Sequence, residues 1–394
     1  MKGMSEGYIR KRGEKYYYSF EIAGANGKRK RIERVGGYTE KEAKKALRKA
    51  IDEYENGGMN TKMADMSVAD YFAFWLTNYV EKNLKFNTRK NYKNVVNRYI
   101  NPKIGKYRIK SLSPATIQHF IDEVAEEPLD RTGQPPKKHT VEIILTIVKE
   151  ALKKAVYPYK IINDNPASYV EMPKYAPLPA TTKQDLKIIT VEQFEKILEQ
   201  TPPADPFHMP LVIAFYTGMR RGEVCGLQWD MVNLDEGYIQ IERQMIQKGN
   251  GVFDLESPKS AAGYRTIVIG PTLINELKEK RKSQMENRVR YGILYNENNF
   301  VCTRNNGDPI LPTYIRYRSR KINDNFGIPF SFHSLRHTHA TMLLEAGEKP
   351  KVVQERLGHS KISTTMDTYM HVTNTMRQDT VLRFENFVQQ KKTN

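Results

Sequence analysis

Four side chains late in the sequence have the types needed to hold and attack a phosphodiester. They are His333, Arg336, His359 and Tyr369. Arginine provides a planar fork of donors that matches phosphate oxygens, and histidine transfers protons near neutral pH. A tyrosine phenol forms a covalent intermediate once this weak nucleophile is activated. We therefore interpret the stretch from His333 to Tyr369 as a candidate phosphoryl-transfer site.

Two upstream segments carry groups that such a site needs. Arg220 follows a glycine turn at Gly218, and Glu223 lies three residues later. Side chains at i and i+3 of a helix can meet, so Glu223 is predicted to hold Arg220 while the guanidinium faces an anion. A surface ion pair is the alternative. Lys259 lies on the connection ahead of a predicted strand, where it could swing a proton donor into the site or remain a solvated charge.

A metal site is a competing interpretation of the same segment. His333, His337 and His339 are spaced so that histidines four residues apart could share a metal on one helical face. No nearby carboxylate completes a HExxH pattern, so we predict that His337, His339 and also His371 serve packing or hydrogen bonding. The sequence contains no GxxxxGK[ST] loop and no acidic cluster of a two-metal nuclease. We expect no metal, nucleotide or other cofactor.

Net charge indicates the class of partner. The chain carries a formal charge of +18 over 394 residues. Such an excess favours nucleic acid first and an anionic membrane surface second, with a basic secreted protein as the alternative. No apolar run approaches the ~18 to 20 residues of a membrane span, and the N-terminus shows no apolar signal region. Two cysteines provide no disulfide framework, so we expect a reducing cytoplasm and no membrane association.

Residues 1–60 are predicted to form a small basic sheet with one helix. The aromatic run Tyr16–Ile22 and the cationic run 28–35 favour strands joined by an Asn-Gly turn. A capping box of Thr39 and Glu42 begins the helix. Such a hairpin fits a DNA groove, whereas a solvated basic face is the alternative. The candidate DNA-binding cations are Arg10, Lys11, Arg12, Lys28, Arg29, Lys30 and Arg31.

Residues 66–173 are predicted to be wholly helical. Apolar stripes at helical spacing alternate with cations, which indicates a bundle core with a basic outer face suited to phosphate contacts. The second helix is predicted to end near Pro102 and Gly105. The predicted helix starts are Ser67, Thr88, Ser113 and Thr140. The candidate DNA-binding cations of this unit are Arg89, Lys90 and Lys93.

Residues 174–188 are predicted to be a linker, and residues 189–394 a catalytic domain. A capping box of Thr190 and Gln193 begins the domain. Tyr238–Ile241 and Tyr264–Ile269 are predicted strands joined by a long loop or a further hairpin. The fold class is thus multidomain and mainly α, with a small sheet-plus-helix N-terminal domain, a helical domain, and a mixed but mostly helical catalytic domain. After Tyr369 a helical apolar pattern could pack on its own or on a neighbouring protomer; it comprises Val381, Phe384 and Val388.

The polar residues of the catalytic domain resemble the tyrosine recombinase (phage integrase) family. The positions that match, in chain order, are Arg220, Lys259, His333, Arg336, His359 and Tyr369. The helical unit is similar to that family's core-site-binding domain in its pattern of Thr88, Tyr92, Ile100, Pro102 and Gly105. The basic N-terminal unit resembles the arm-site-binding domain of integrases from conjugative transposons and temperate phages of Gram-positive bacteria. The resemblance covers almost the whole chain.

The resemblance implies a cut-and-rejoin reaction on double-stranded DNA. Tyr369 would form a 3′-phosphotyrosyl link and free a 5′-hydroxyl, while Arg220 and Arg336 clamp the non-bridging oxygens with help from His359. Lys259 would protonate the leaving oxygen, and His333 would assist deprotonation of Tyr369. A homotetramer acting on core and arm attachment sites would integrate and excise a mobile element or prophage. The expected partners are an excisionase and a host DNA-bending protein, in the bacterial cytoplasm and at the nucleoid when active.

Two other functions compete with this one. A type IB topoisomerase-like enzyme shares the chemistry but releases supercoils without exchanging strands, and a separate arm-binding domain argues against it. A catalytically silent DNA-binding regulator would not require all six polar positions.

Overall fold

The computed structural model describes residues 7–23, 29–55, 65–129, 133–175, 188–249, 251–258, 260–328, 330–363, 366 and 389. The chain divides into two compact units, Met1–Pro177 and Leu178–Asn394. Several predicted features lie outside the described residues: the Asn26-Gly27 turn, Lys28, most of the linker, Lys259, Tyr369, His371, and the apolar pattern of Val381, Phe384 and Val388.

The N-terminal part of the first unit is a sheet covered by a helix. Strands β1 (Tyr8–Arg12), β2 (Lys15–Ala23) and β3 (Arg29–Gly37) pair antiparallel in that order, and α1 spans Glu40–Glu55. The predicted capping box is confirmed, because the Glu42 backbone N–H donates to Thr39 Oγ1 at 3.2 Å and the Thr39 N–H donates to the Glu42 carboxylate at 3.1 Å. The core beneath α1 consists of Tyr18, Phe20 and Leu47.

The rest of the first unit is helical, as predicted. Its main helices are α2 (Val68–Trp75), α3 (Phe86–Val95), α4 (Pro114–Glu126) and α5 (Lys138–Val156). Helix α2 extends through a π-helical turn at Leu76–Val80, and 3-10 turns occupy Ile109–Ser111 and Pro166–Tyr169. The aromatic stripe of α2 is fully buried, so it forms core and not a surface for stacking bases; its members are Tyr71, Phe72 and Trp75.

Of the two predicted boundaries of the helix that includes α3, the start was wrong and the end is confirmed. The helix begins at Phe86 and not at Thr88, because the extended residue is Lys85. The predicted end near Pro102 and Gly105 is confirmed: after a π-helical turn at Val96–Ile100 the helix continues through Asn101–Ile104. Proline is tolerated there because the first positions of a new α-helical segment need no N–H donor. Gly105 follows the last helical residue, as predicted.

The second unit surrounds a small sheet with helices. Its helices are α6 (Val191–Glu199), α7 (His208–Thr217), α8 (Arg221–Cys225), α9 (Pro271–Tyr291), α10 (Pro312–Phe326), α11 (Ser334–Glu345) and α12 (Pro350–Leu357). Its strands are β4 (Val232–Asn233), β5 (Tyr238–Ile241), β6 (Gln244–Gln247), β7 (Phe253–Glu256) and β8 (Arg265–Val268). Short 3-10 turns lie at Trp229–Met231, Ala261–Gly263 and Gly292–Leu294.

The strand pairing resolves the connection that the sequence left open. β5 pairs antiparallel with both β4 and β8, and β6 with β7 forms a separate hairpin between β5 and β8 in the chain. The further hairpin is therefore present, and Lys259 follows it in the chain. Helix α6 begins with the predicted capping box of Thr190 and Gln193. A large buried cluster joins helices α6 to α11 to the sheet, and a second, smaller cluster packs α12 against α11.

Candidate functional site: a paired-arginine anion site

Arg220 lies between the end of one helix and the start of the next. Helix α7 ends at Gly218, whose φ of +66° is the left-handed conformation that glycine adopts without strain. Arg220 then precedes α8, and its guanidinium Nη2 donates to the carbonyl oxygen of Gly358 at 2.8 Å. About a third of its side chain stays exposed (37%), so further N–H groups remain open to a ligand.

Glu223 holds Arg220 from within α8, as predicted. Its carboxylate accepts from Arg220 Nη1 and from the Arg220 backbone N–H, both at 2.8 Å. The Glu223 side chain is only 3% exposed, so the Arg220–Glu223 pair is not an ordinary surface ion pair. Burial disfavours its charge, but the hydrogen bond and charge of Arg265 and the charge of Arg220 outweigh burial and hold the pKa of Glu223 below its ordinary value.

Arg336 approaches the same place from α11. It is 2% exposed, and its Nη1 and Nη2 donate to the carbonyl oxygens of Gly218 at 2.9 Å and Leu357 at 2.7 Å. Burial, followed by the charge of Arg220, lowers the pKa of Arg336 to about 9, so the guanidinium is still cationic at pH 7. Two cations held by backbone oxygens and by one carboxylate form a site with excess positive charge, which favours an anion.

The two candidate histidines lie beside this pair and are neutral. Burial, together with Arg336 and Arg220, lowers the pKa of His359 to about 3. His333 lies on the solvent-facing side of the site, and more than a third of its surface is exposed. Partial burial nevertheless lowers the pKa of His333 to about 4, with smaller effects of His337, Arg336 and Arg220. A neutral imidazole can accept a proton or donate one hydrogen bond, which suits both predicted roles.

The histidines that suggested a metal do not converge on one point. His333 and His337 meet edge to face, with ring centroids 4.9 Å apart. His339 is turned elsewhere: its Nδ1 is 2.8 Å from the carbonyl oxygen of Phe215, and its Nε2 accepts from Arg356 Nε at 3.1 Å. Within the described ranges, no group of three or more His, Cys, Asp and Glu side chains is placed to bind a metal ion.

A basic pocket opens next to His333. It has a volume of about 460 Å³ and an aromatic floor that includes Phe330 and Phe332. Its cationic wall comes from α8 and α10 and consists of Arg221, Arg316 and Arg320. These three arginines add positive charge next to His333, which favours a polyanionic ligand on this side of the site.

Comparison with known proteins identifies the family of the chain. The sequence model of the phage integrase family matches residues 187–376, and that of the phage integrase N-terminal SAM-like domain matches residues 67–125. Together they cover more than half of the chain. An arm DNA-binding domain matches residues 8–54. The chain belongs to the phage integrase family. It is a tyrosine recombinase, an enzyme class that exchanges DNA strands.

Relatives of this integrase include recombinases of mobile elements. It is 29% identical over 384 residues to a XerC-like tyrosine recombinase of Caldanaerobacter subterraneus, covering 92% of this chain and 94% of that one. It is 28% identical to the ICEBs1 integrase of Bacillus subtilis over 73% of this chain and 74% of the relative. The Tn1549 transposon integrase, solved with transposon right-end DNA, has the same fold at a TM-score of 0.60 and 20% identity, over 81% of this chain and 99% of that one.

Two site residues of the integrase were missed by sequence reasoning. Arg265, at the start of β8, donates to both oxygens of Glu223, and its Nε donates to the carbonyl oxygen of Arg356 at 2.8 Å. Arg356 in turn bonds to His339 and to the carbonyl oxygens of Val268 and Tyr216. The sequence did carry a signal for Arg265. Residues 265, 267 and 269 share one face of a strand, and Ile267 and Ile269 are apolar, so Arg265 is an arginine on an apolar face.

The N-terminal sheet of the integrase sorts its candidate cations by face. Tyr18 and Phe20 face α1, and Tyr18 pairs with Ile9, so residues in the other phase face away. The predicted DNA-binding cations that are exposed on that open face are Arg10, Arg12 and Arg31. Arg31 donates to Ser19, and Arg12 lies 3.3 Å from Glu33. Lys11 pairs opposite Tyr16 and therefore lies in the α1 phase, which separates it from Arg10, Arg12 and Arg31.

The helical cations of the integrase differ in exposure. Lys90 and Lys93 are exposed on α3, whereas Arg89 is half-buried and its Nη1 donates to the carbonyl oxygen of Glu81 at 3.0 Å. Lys90 and Lys93 are thus the better placed of the three to meet a phosphate. In the part of the chain that the structure describes, no helix is both long and apolar enough to cross a membrane.

Proposed function

We propose that this integrase cuts and rejoins double-stranded DNA at specific sites through a 3′-phosphotyrosyl intermediate. The observation that carries the proposal is the joint anchoring of Arg220 and Arg336 on the carbonyl oxygens of Gly358 and Leu357. This leaves two cationic forks beside neutral His333 and His359. The non-bridging oxygens of a phosphodiester match that set of donors.

The chemistry follows from these groups together with Lys259 and Tyr369. The phenolic oxygen of Tyr369 attacks phosphorus, the P–O5′ bond breaks, and a P–O bond to tyrosine forms. The phenolic proton passes to His333, and Lys259 gives a proton to the departing 5′ oxygen. Arg220 and Arg336 stabilise the charge that builds on the equatorial oxygens, with a hydrogen bond from His359. One phosphoester replaces another, so the reverse attack by a 5′-hydroxyl rejoins a strand.

The protonation states favour this assignment once DNA is bound. Nearby arginines contribute to the low pKa of His333 and of His359 in the free protein. A bound phosphate anion offsets those charges and raises the pKa of both imidazoles toward the range in which a general base is effective.

The further parts of the proposal concern partners and domains. Residues 1–60 bind arm sites and residues 66–173 bind core sites. Residues 174–188 link the core-site domain to residues 189–394, which carry the chemistry. Recombination requires four cleavages on two duplexes, which calls for a homotetramer on DNA. A lambda integrase of the same fold was solved as a tetramer on a Holliday junction (TM-score 0.52, 18% identity, covering 90% of this chain and 95% of that one).

An excisionase and a host DNA-bending protein would set the direction of the reaction. The reaction integrates and excises a mobile element in the bacterial cytoplasm, with the protein at the nucleoid when active.

The decisive experiment uses a nicked suicide duplex that contains the joined ends of the element encoding this chain. The wild-type chain should form a covalent adduct that survives denaturation, and Tyr369→Phe should form none while binding the duplex with nearly unchanged affinity. Tyr291→Phe is a matched control that removes a phenol elsewhere in the chain. Adducts formed by Tyr369→Phe would remove the nucleophile assignment.

Strand exchange is separated from nicking-closing by the product. Two labelled duplexes should yield recombinant junctions, whereas a topoisomerase-like enzyme would relax a supercoiled plasmid and yield no joined product from two duplexes. Relaxation without recombinant product would overturn the proposal.

A further inference from the structure

Besides its ion pair with Glu223, Arg265 contacts the helix end that binds Arg220 and Arg336. Its side chain is 6% exposed, and it donates to both carboxylate oxygens of Glu223, at 2.8 and 3.2 Å. Its Nε simultaneously donates to the carbonyl oxygen of Arg356, in the last turn of α12, at 2.8 Å. The carbonyl oxygens of the next two residues, Leu357 and Gly358, are those that bind Arg336 and Arg220. One guanidinium therefore touches both supports of the phosphate-binding pair.

We propose that Arg265 is a positioning residue for strand cleavage, which acts through Glu223 to fix the guanidinium of Arg220. This inference rests on the proposed function and adds a residue to it. Arg265 does not bind the DNA itself, because its N–H groups already donate to Glu223 and to the carbonyl oxygens of Arg356 and Gly263.

Glu223 needs a counter-charge to stay ionised. It is nearly completely buried, and a buried carboxylate on its own takes up a proton. The charged groups that face it are Arg265 from β8, Arg220 at the start of α8, and Arg336 from α11. Arg220 is partly exposed and must also bind the substrate, whereas Arg265 is enclosed and has no other anionic partner among the described residues. Arg265 is thus the permanent counter-charge of Glu223.

Arg265 also fixes the orientation of the Glu223 carboxylate. A carboxylate that binds a guanidinium with both oxygens is fixed in plane and in rotation. Glu223 then presents Oε1 to Arg220 Nη1 and Oε2 to the Arg220 backbone N–H. Without Arg265 the carboxylate could rotate, and Arg220 would lose the orientation that leaves its remaining donors for a phosphate. Misplacement of a catalytic group by about 1 Å can cost on the order of 10²-fold in rate.

The test compares Arg265→Gln, Glu223→Gln and the double variant on the suicide duplex. We expect adduct formation at pH 7 to fall on the order of 10²-fold in each single variant. The double variant should be no more than about twofold slower than Glu223→Gln, because groups that act as a unit are not additive. Full multiplication of the two losses would show that Arg265 acts independently of Glu223 and would overturn the proposal.

The pH profile is the readout that a merely structural role would not move. Removing Arg265 takes away the hydrogen bond and the charge that most strongly oppose burial, so the pKa of Glu223 rises. In Arg265→Gln the rate should therefore increase with pH as Glu223 ionises, while Glu223→Gln and the double variant should lack this rise. Arg265→Lys keeps the positive charge but loses the planar fork, so it should be slower than wild type with a nearly wild-type pH profile. Identical profiles for Arg265→Gln and wild type would contradict the inference.

Controls separate this outcome from unfolding and from failure of the proposed function. Arg288→Gln removes an exposed ion pair with Glu297 and should leave the cleavage rate unchanged. If Arg265→Gln does not fold, Arg265→Lys and Glu223→Gln still test the inference. The lysine variant should then cleave more slowly than wild type while the pH dependence of its rate stays the same. Absence of adducts with the wild-type chain refutes the proposed function, whereas adducts that are equally fast in wild type and Arg265→Lys refute only the inference.

Discussion

Arg220 and Arg336 are 116 positions apart in the chain, yet their guanidinium groups bind the carbonyl oxygens of consecutive residues, Gly358 and Leu357. Both oxygens lie where α12 ends, because a left-handed residue at Gly358 (φ +68°) turns the chain. The end of this helix is therefore the part against which the two arginines are aligned. The same segment leads directly to His359, so its backbone geometry governs several groups at once.

Gly358→Ala should damage the site beyond its effect on stability. A Cβ there would lie 2.6 Å from the carbonyl oxygen of Ala262 and 3.1 Å from Arg265, in addition to the cost of a left-handed alanine, about 1 kcal/mol. We expect the free energy of unfolding in urea to fall by more than that amount and adduct formation to drop at least tenfold.

Gly327→Ala is the matched control for this change. Gly327 also ends a helix at a φ of +61°, but no atom of the described residues lies within 4 Å of the position of its Cβ. It should lose about 1 kcal/mol of stability and keep its cleavage rate. Equal loss of cleavage in both variants would mean that the backbone turn at Gly358 has no special role.

Arg336→Lys should separate charge from geometry. Lysine keeps one positive charge but cannot donate to Gly218 and Leu357 while also facing a phosphate. We expect the cleavage rate to fall on the order of 10² to 10³-fold with DNA affinity changed little. Single-turnover cleavage and fluorescence anisotropy measure the two quantities. Arg318→Lys, which breaks a partly buried bidentate pair with Asp205, is the control and should cleave normally.

Local sequence signals predicted much of the fold. The capping boxes at Thr39 and Thr190 and the apolar helical stripes are confirmed, because each depends on residues within one or two turns. The start of α3 was missed by two residues, because the extended residue before it is Lys85, whose side chain makes no capping hydrogen bond. Residue types and chain order indicated the chemistry, and the roles assigned to all six positions stay predictions: Arg220, Lys259, His333, Arg336, His359 and Tyr369.

The supports of the site could not be predicted in the same way. The carbonyl oxygens of Gly218 and Gly358 accept hydrogen bonds from arginines that are distant in the chain. These contacts depend on how α7, α11 and α12 pack. Nothing in the local sequence marks a carbonyl acceptor, because every residue has one. Arg265 was predictable in part, since it shares a strand face with buried isoleucines, but its partner Glu223 was not.

The stability of the integrase should decrease as the pH falls below about 6.5, and His339 should cause part of this decrease. Burial and the charge of Arg356 lower the pKa of His339 to about 4. An unfolded histidine titrates near 6.5, so between these values the unfolded chain binds more protons and stability rises with pH. The contribution, fully present above pH 6.5, is on the order of 3 kcal/mol when it is completely removed near pH 4.

Urea unfolding at pH 7, 6 and 5 measures this effect. His339→Gln should be less stable at pH 7, because Arg356 and Phe215 lose their partner, but it should depend less on pH. His139, whose side chain is 83% exposed, provides the control: His139→Gln should retain the wild-type pH dependence. An unchanged slope in His339→Gln would assign the acid sensitivity to other groups.

The open face of the N-terminal sheet should supply the electrostatic part of arm-site binding. Replacing Arg10, Arg12 and Arg31 by alanine removes three exposed cations from one face. For the full-length chain on arm-site duplex, the log–log salt slope should fall by about 0.9 for each phosphate that the protein no longer neutralises. The control removes three exposed cations from α1 instead, by replacing Lys45, Arg48 and Lys49 with alanine. Because both triple variants change the net charge equally, a smaller slope in the sheet variant alone supports binding through that face, whereas equal slopes would reduce its role to the overall charge of the protein.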